Sequence, residues 1–323
     1  MTDLTRDDAE RLLERSREAR WTFPTSFGRP VEAQAEDWVE DFVADRESFA
    51  DAARFLIDAG DTDAATEIAA NVWRLWILAR DVAGGRAFLA AVLDGADAQP
   101  SRARALALYG DGLLALRQGA LEDSRVRNEA ALEAARAASD PEALVLAHLG
   151  LSRVAFEDGD YERSAALAVQ ARELARPLGE AMGQAPLHLH AQSMRLSGAD
   201  DDAAVLFTES LELNRRIGDQ GMVPVELHNL GHVEVHRGNV ELAERRFAEC
   251  AEQGSPGDAY DEAMTYLNQA AVAFGRALNE QARGLLARAQ STLDGAGIDA
   301  AADDQFEIDW LRQQLTPGVS GTT

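Results

Sequence analysis

The chain of 323 residues contains no lysine, because all 31 of its basic residues are arginine. A phosphate-binding loop of the G-x-x-x-x-G-K-[S/T] type and a pyridoxal Schiff base both need a lysine amine, so both are excluded within this chain. Cys250 is the only cysteine. An intrachain disulfide and a cysteine-based zinc site are therefore excluded as well.

Strand patterns and long apolar runs are also missing. Aromatic residues make up only 6% of the chain, and no sustained run alternates Val, Ile and Thr, which predicts an all-α fold. No stretch of eighteen apolar residues occurs, and the N-terminus is charged throughout. We therefore expect a cytoplasmic protein that does not contact a membrane.

Positive charge is scarce, and the formal net charge is -25. Such a chain repels phosphate backbones and anionic lipid, so nucleic acid is not an expected partner. The acidity would favour a basic partner, or it simply keeps a long chain soluble and monomeric.

An internal repeat is the main positive feature. Six corresponding positions recur at intervals of 39 or 40 residues, and each is followed five residues later by a small residue. The positions are Arg80, Gly119, Gly159, Gly198, Gly238 and Ala277. A helical hairpin copied in this way cannot bury its apolar face alone, so the copies are expected to stack into a solenoid with a concave binding surface.

The pattern divides the chain into four parts. Residues 1–37 are expected to form an N-terminal helix and an irregular segment, and residues 38–295 the helical repeats. Residues 296–316 are expected to hold a helix that caps the open end, and residues 317–323 a disordered tail. We predict fourteen or fifteen helices in all, including one continuous helix over residues 37–59.

Two segments resemble the tetratricopeptide consensus: LGLSRVAFEDGDYERSAALAVQARELA at 149–175 and LHNLGHVEVHRGNVELAERRFAECA at 227–251. The resemblance covers most of residues 65–294 and implies a tetratricopeptide-like α-solenoid of about six hairpins. The observed period exceeds the 34 residues usual in that family, which implies longer helices or turns. Cys250 stands where sibling repeats carry Ala or Ser, and we interpret it as a small packing residue.

Residues 38–89 are similar to the segment that opens the helical-repeat sensor half of large bacterial transcription regulators and signal-transduction ATPases. The motifs that carry this resemblance are Trp38, Gly60-Asp61, Trp73-Arg74-Leu75-Trp76 and Gly85-Arg86-Ala87-Phe88-Leu89. Ser48 and Arg80 depart from that family, which has Asn and Gly there. The resemblance implies a sensor or scaffold module without the nucleotide-binding and DNA-binding domains.

The tetratricopeptide resemblance also implies which side chains face the groove. The candidates for ligand binding are Tyr109, Arg153, Phe156, His188, Arg195, His228, Asn229, His232, His236 and Asn268. By their positions in the repeat, His148 and His190 are expected to face the packing side instead.

These groove residues permit several chemistries. Asn amides and Arg side chains can hold a peptide backbone or a carboxylate. His228 and His232 at i and i+4 could also ligate zinc, nickel or copper, but no third ligand is fixed, and we predict no metal or cofactor. The remaining interpretation is a merely polar groove that we expect to be partly solvated.

Three functions remain open. The favoured one is a non-catalytic module that recognises a protein segment or peptide in its concave groove, with a role in regulation. The second is a sensor of a small-molecule effector. The third is an enzyme that uses groove histidines with Glu157, Glu226 or Glu234, although no pairing of a nucleophile with a base is visible from spacing.

Overall fold

The structure is a computed structural model that describes residues 4–19, 35–95, 99–253 and 257–316. In these ranges it contains seventeen α-helices, one 3-10 turn at Arg176–Leu178 and no strand, which confirms the all-α prediction. The helices are α1 (Arg6–Arg17), α2 (Ala35–Ala44), α3 (Arg46–Asp58), α4 (Thr62–Val72), α5 (Arg74–Leu78), α6 (Val82–Gly95), α7 (Arg102–Arg117), α8 (Leu121–Ala138), α9 (Pro141–Glu157), α10 (Tyr161–Ala175), α11 (Glu180–Leu196), α12 (Asp200–Ile217), α13 (Val223–His236), α14 (Val240–Ala251), α15 (Ala259–Gly275), α16 (Asn279–Ala296) and α17 (Ala302–Leu315).

The structure has more helices than predicted, because the helical chain is interrupted at two places. Residues 37–59 do not form one continuous helix, because the helix is interrupted at Asp45, between α2 and α3. A second break occurs at Trp73, between α4 and α5. Trp73 is 2% exposed and meets Tyr109 edge-on at 5.9 Å, so a large core side chain stands at this break.

The six repeat positions all adopt the left-handed backbone conformation. Their φ angles lie between 56° and 80°, including those of Arg80 and Ala277, which are not glycine. After each, the next residue's N–H donates to the carbonyl five residues back, at 2.8 to 3.0 Å. This is the Schellman pattern that ends a helix and turns the chain, so each of the six positions follows the end of the first helix of a hairpin.

Six hairpins follow from these turns: α4 and α5 with α6, α7 with α8, α9 with α10, α11 with α12, α13 with α14, and α15 with α16. The small residues predicted at the helix contacts are buried, and Ser164 and Ala243 are 0% exposed. Ser152 Oγ donates to the Ser164 carbonyl oxygen at 2.7 Å, across the α9–α10 contact. The two helices can approach this closely because a larger side chain is absent there.

The chain divides into two compact units, Met1–Pro186 and Leu187–Thr323, here called unit 1 and unit 2. Unit 1 has a core in which Trp76 stacks on Phe88 with ring centroids 4.4 Å apart. Unit 2 has core residues on each of its hairpins, among them Phe207, Leu227 and Leu286.

Some sequence predictions fall outside the described residues. They are the irregular segment over 20–34, the side chain of Trp38 and the tail at 317–323. Among the helices that are described, none is both long and apolar enough to cross a membrane.

Candidate functional site

The last helix, α17, packs against α15 and α16 of unit 2 and turns an acidic side toward α11 and α13. Ile308, Leu311 and Leu315 recur at helical spacing and are buried in the core with α15 and α16. Asp304 and Glu307, three residues apart, lie on the same buried face, toward the N-terminal end of the helix. We call the contacts of α17 with residues 187–196 of α11, with α13 and with α15 the α17 interface.

Arg195 on α11 makes the central ion pair of the α17 interface. Its Nη2 lies 2.6 Å from Glu307 Oε1, and both side chains are 0% exposed. Another guanidinium nitrogen donates to Asn229 Oδ1, and Nδ2 of Asn229 donates to the Val225 carbonyl oxygen at 2.9 Å. The buried guanidinium is therefore held by both a carboxylate and an amide.

His228 forms the second polar contact of this interface. Its Nε2 lies 2.7 Å from Asp304 Oδ1, and the Tyr260 hydroxyl donates to the other carboxylate oxygen. Burial disfavours the charged carboxylate, but His228 and Tyr260 outweigh it and lower the pKa of Asp304 to about 2.

His232 and His236 both face Glu307, one turn apart on α13. His236 Nε2 is 3.1 Å and His232 Nδ1 is 3.3 Å from Glu307 Oε2. Burial lowers the pKa of His236, but its contacts with Asp200 and Glu307 outweigh this and raise the value to about 9. Burial dominates at His232 and lowers its pKa to about 4, so at neutral pH His236 is charged and His232 is neutral.

The ring of His236 also contacts aromatic residues of α17. Its centroid is 4.1 Å from that of Trp310 and 6.4 Å from that of Phe306. Trp310 in turn meets Phe274 edge-on at 5.2 Å. Phe306 and Trp310 of the last helix thus lie against α13 and α15.

His188 is half-buried and belongs to a separate polar group. Its Nδ1 is 3.0 Å from Glu226 Oε1, which also accepts from Ser210 at 2.6 Å and from Asn214 at 3.1 Å. Glu226 is 0% exposed. This group links α11, α12 and α13.

The structure therefore brings four predicted residues, Arg195, His228, His232 and His236, to one helix of the same chain. We expected these histidines to be partly solvated, but His228 is 9% exposed and His232 is 0% exposed because α17 covers them. Within the described residues, no three His, Cys, Asp or Glu side chains are grouped so that they could hold a metal ion.

Three of the candidates lie in unit 1, and two of these, Arg153 and Tyr109, contact each other. Arg153 Nη1 donates to the Tyr109 hydroxyl at 2.8 Å. Burial and the neighbouring Arg153 lower the pKa of Arg74 to about 10, and the same two causes lower that of Arg117. Three guanidinium groups are thus concentrated near one tyrosine, in a chain of large negative charge.

The remaining candidates occupy other environments. Phe156 is 7% exposed and packs edge-on against Tyr161 at 5.5 Å, on the second helix of its own hairpin. Asn268 is buried beside a cavity described below. His148 is buried, as predicted for the packing side, and burial lowers its pKa.

The carboxylates proposed as acid or base have mainly structural contacts. Glu234 is 4% exposed and accepts from Arg237 at 3.1 Å and from Asn239 at 2.7 Å, beside the turn that ends α13. Glu226 is fully buried in the group described above. Glu157 is exposed.

Sequence reasoning missed the α17 side of the interface. Asp303 accepts from Gln192 Nε2 at 2.9 Å, and its carbonyl oxygen lies 3.5 Å from Arg195 Nη2. The available signal was that Asp304 and Glu307 recur at helical spacing with the apolar residues Ile308 and Leu311, on one face of the helix. That pattern places carboxylates on the packed face of the helix, but it does not say which residues they meet.

No protein-family model matches the sequence, and the search of curated proteins found no match. Solved structures do match. A Rap protein complexed with competence and sporulation factor is 13% identical with a TM-score of 0.58, covering 95% of this chain and 80% of that chain. PilF of Pseudomonas aeruginosa is 13% identical with a TM-score of 0.53, covering 78% and 99%. A tetratricopeptide repeat protein of Parabacteroides merdae is 13% identical with a TM-score of 0.50, covering 83% and 98%. At these identities the likeness shows the fold, which is that of tetratricopeptide repeats.

Proposed function

We propose that this chain is a non-catalytic protein-interaction module in which the first helices of unit 2 recognise an acidic amphipathic helix of a partner. The observation that supports this most directly is the α17 interface, where Arg195 and His228 hold the carboxylates of such a helix. Recognition of an amphipathic helix in a groove is a common mode of binding between proteins.

The contacts of α17 define the chemistry of the proposed partner. Its helix would carry acidic residues at the spacing of Asp304 and Glu307, and apolar residues at the spacing of Ile308, Leu311 and Leu315. The carboxylates supply specificity, because a helix without them would leave the guanidinium of Arg195 buried and unpaired. The apolar residues on the same face would supply most of the binding free energy.

Such a partner would compete with α17, which gives the module a regulatory character. The apparent affinity for the partner is reduced by the fraction of molecules in which α17 is docked. This fits the resemblance of residues 38–89 to the sensor halves of bacterial regulators, and with it a cytoplasmic role. In unit 1, we propose the half-buried Arg153, whose guanidinium donates to the buried Tyr109 hydroxyl, as a second contact for a carboxylate of a protein partner.

A labelled synthetic peptide of residues 299–316 tests the proposal on the full chain. In the Glu307→Ala variant, the chain's own α17 offers Arg195 no carboxylate. The added peptide, which carries Glu307, supplies one. Fluorescence anisotropy should show that the peptide binds this variant at least ten-fold more tightly than the wild type. A peptide carrying Glu307→Gln should lose that advantage.

Asp309→Ala is the matched control, because Asp309 lies on the same helix but its side chain is 55% exposed. That chain should bind the peptide as weakly as the wild type. If Glu307→Ala does not fold, Leu311→Ala replaces it as the test variant. It weakens the apolar contacts of α17 while keeping the carboxylates of that helix. The proposal would be refuted if a variant with a native circular dichroism spectrum bound the native peptide and the Glu307→Gln peptide equally well.

A further inference from the structure

A cavity of about 430 Å³ lies in unit 2 between the α13–α14 hairpin and the α15–α16 hairpin. Residues of α14, of α15 and of the first turns of α16 line it, and none of the described residues of α17 does. It is therefore a different place from the α17 interface.

The cavity has a local cause in the length of α14. This helix has 12 residues, whereas the other second helices have 14 in α6, 15 in α10 and 18 in each of α8, α12 and α16. The three longest of them continue for about one and two-thirds further turns at 3.6 residues per turn. Because α14 stops early, it packs less extensively on α15 than α8 does on α9, and space is left between them.

The wall of the cavity is mainly apolar, with one polar group that lacks a partner. Phe247, Met264 and Leu285 contribute apolar surface. Asn268 lines the same space and is 7% exposed, and within the described part of the chain its buried Oδ1 accepts no hydrogen bond. A buried amide oxygen without a donor is costly, so a donor supplied by a bound molecule would be favourable.

The charged groups at the cavity argue against an anionic occupant. Arg276 Nη2 lies 2.6 Å from Glu244 Oε2, so the one basic residue in the lining is paired with an acidic one. Asp261 adds a further negative charge at the lining. A carboxylate or phosphate entering here would meet net negative charge.

We propose that this cavity binds a neutral, mostly apolar small molecule of two or three aromatic rings, which donates an N–H or O–H to Asn268 Oδ1. A volume of a few hundred cubic ångströms, apolar walls and few polar groups are typical of small-molecule sites. The proposal does not depend on the function proposed for the α17 interface.

Cys250 provides a reporter inside the site. It lines the cavity, is half-buried, and its thiol donates to the Pro224 carbonyl oxygen at 3.3 Å. Burial raises the pKa of this thiol to about 11, so its alkylation is slow and measurable. Since it is the only cysteine of the chain, all alkylation reports on this one place.

N-phenyl-1-naphthylamine is a suitable probe, because it is neutral, has aromatic rings on both sides of one N–H, and fluoresces in apolar surroundings. Titrated into the full-length protein, it should give saturable fluorescence with one site per chain. Ala248→Trp places a large ring at the exposed rim of the cavity and should weaken binding at least ten-fold. Asn268→Leu removes the acceptor and should weaken it three- to ten-fold.

Ala287→Trp is the matched control, since Ala287 is an exposed alanine of α16 outside the lining. It should leave probe binding unchanged. The bound probe should also slow the alkylation of Cys250 by N-ethylmaleimide at least five-fold. Absence of saturable binding would overturn the proposal, and so would binding that Ala248→Trp does not weaken or that leaves the alkylation rate unchanged. Binding of the peptide of residues 299–316 is measured separately, so failure of one proposal leaves the other testable.

Discussion

The guanidinium of Arg195 lies 2.6 Å from the carboxylate of Glu307, and neither side chain is exposed. The two residues are 112 positions apart in the sequence, and their contact joins α11 to α17. Taking both charges out of water is costly, so such a pair adds little net stability relative to an apolar pair of similar size. It does select one arrangement, because any other position of α17 leaves a buried charge unpaired.

Removing one member of this pair should therefore cost more than removing both. Glu307→Gln should lower the free energy of unfolding by about 3 to 5 kcal/mol, whereas Arg195→Met combined with Glu307→Leu should recover most of that loss. Urea denaturation measures both. Arg312→Ala breaks an exposed pair with Asp309 and should cost no more than about 1 kcal/mol. A Glu307→Gln variant as stable as Arg312→Ala would contradict the argument.

Alkaline pH should weaken the docking of α17 through His236. The pKa of His236 is raised from 6.5 to about 9 in the folded state, so its contribution is complete below about pH 6.5 and is lost as the pH rises through 9. The contribution is at most about 3.5 kcal/mol, since one pKa unit corresponds to about 1.4 kcal/mol. The difference in unfolding free energy between wild type and His236→Gln should be large at pH 6 and disappear by pH 10. A difference independent of pH would show that His236 acts only through packing.

Replacing two helical glycines with alanine should change the stability of the protein in opposite directions. At Gly284 in α16, an added Cβ would have no heavy atom within 4 Å, so Gly284→Ala should stabilise by up to about 1 kcal/mol. At Gly231 in α13, an added Cβ would overlap the ring of Phe247, which also meets His232 at 5.0 Å. Gly231→Ala should therefore destabilise by about 1 to 3 kcal/mol. Thermal midpoints that shift in the same direction for both variants would show that the α13–α14 contact is looser than described.

The repeat turns allow a reciprocal test. Ala277 has a φ of 59°, which is unfavourable for a residue with a Cβ, so Ala277→Gly should stabilise by about 1 kcal/mol. Gly238 has a φ of 78° and no heavy atom near the position of an added Cβ, so Gly238→Ala should cost about as much through the backbone alone. Chemical denaturation of both variants measures the two effects. Equal stability of Gly238→Ala and wild type would mean that the left-handed turn is not required there.

Much of the fold could be predicted because the repeat depends on local chemistry. The positions from Arg80 to Ala277 recur at a fixed interval, and their left-handed turns require only a short stretch of chain around each. The burial of Ser164 and Ala243 follows from the same register. The breaks at Asp45 and Trp73 were not predicted, because helical spacing of apolar residues continues across both.

The candidate site was predicted in part. The resemblance placed Arg195, His228, His232 and His236 on a common side of the first helices, and the structure brings them together at α17. Their partners could not be predicted, because Asp304 and Glu307 lie more than seventy residues away in the chain. Nothing local determines which surface an acidic helix side will meet.

The sequence by itself determined the repeated hairpin, its turns and its packing residues, since each depends on helical periodicity and on backbone preferences within about forty residues. Only the tertiary structure decided that α17 lies across α11, α13 and α15, and that the shortened α14 leaves a cavity beside Asn268. Both depend on contacts between distant segments. The pairing of buried charges and the filling of space, rather than local propensity, select among the arrangements open to those segments.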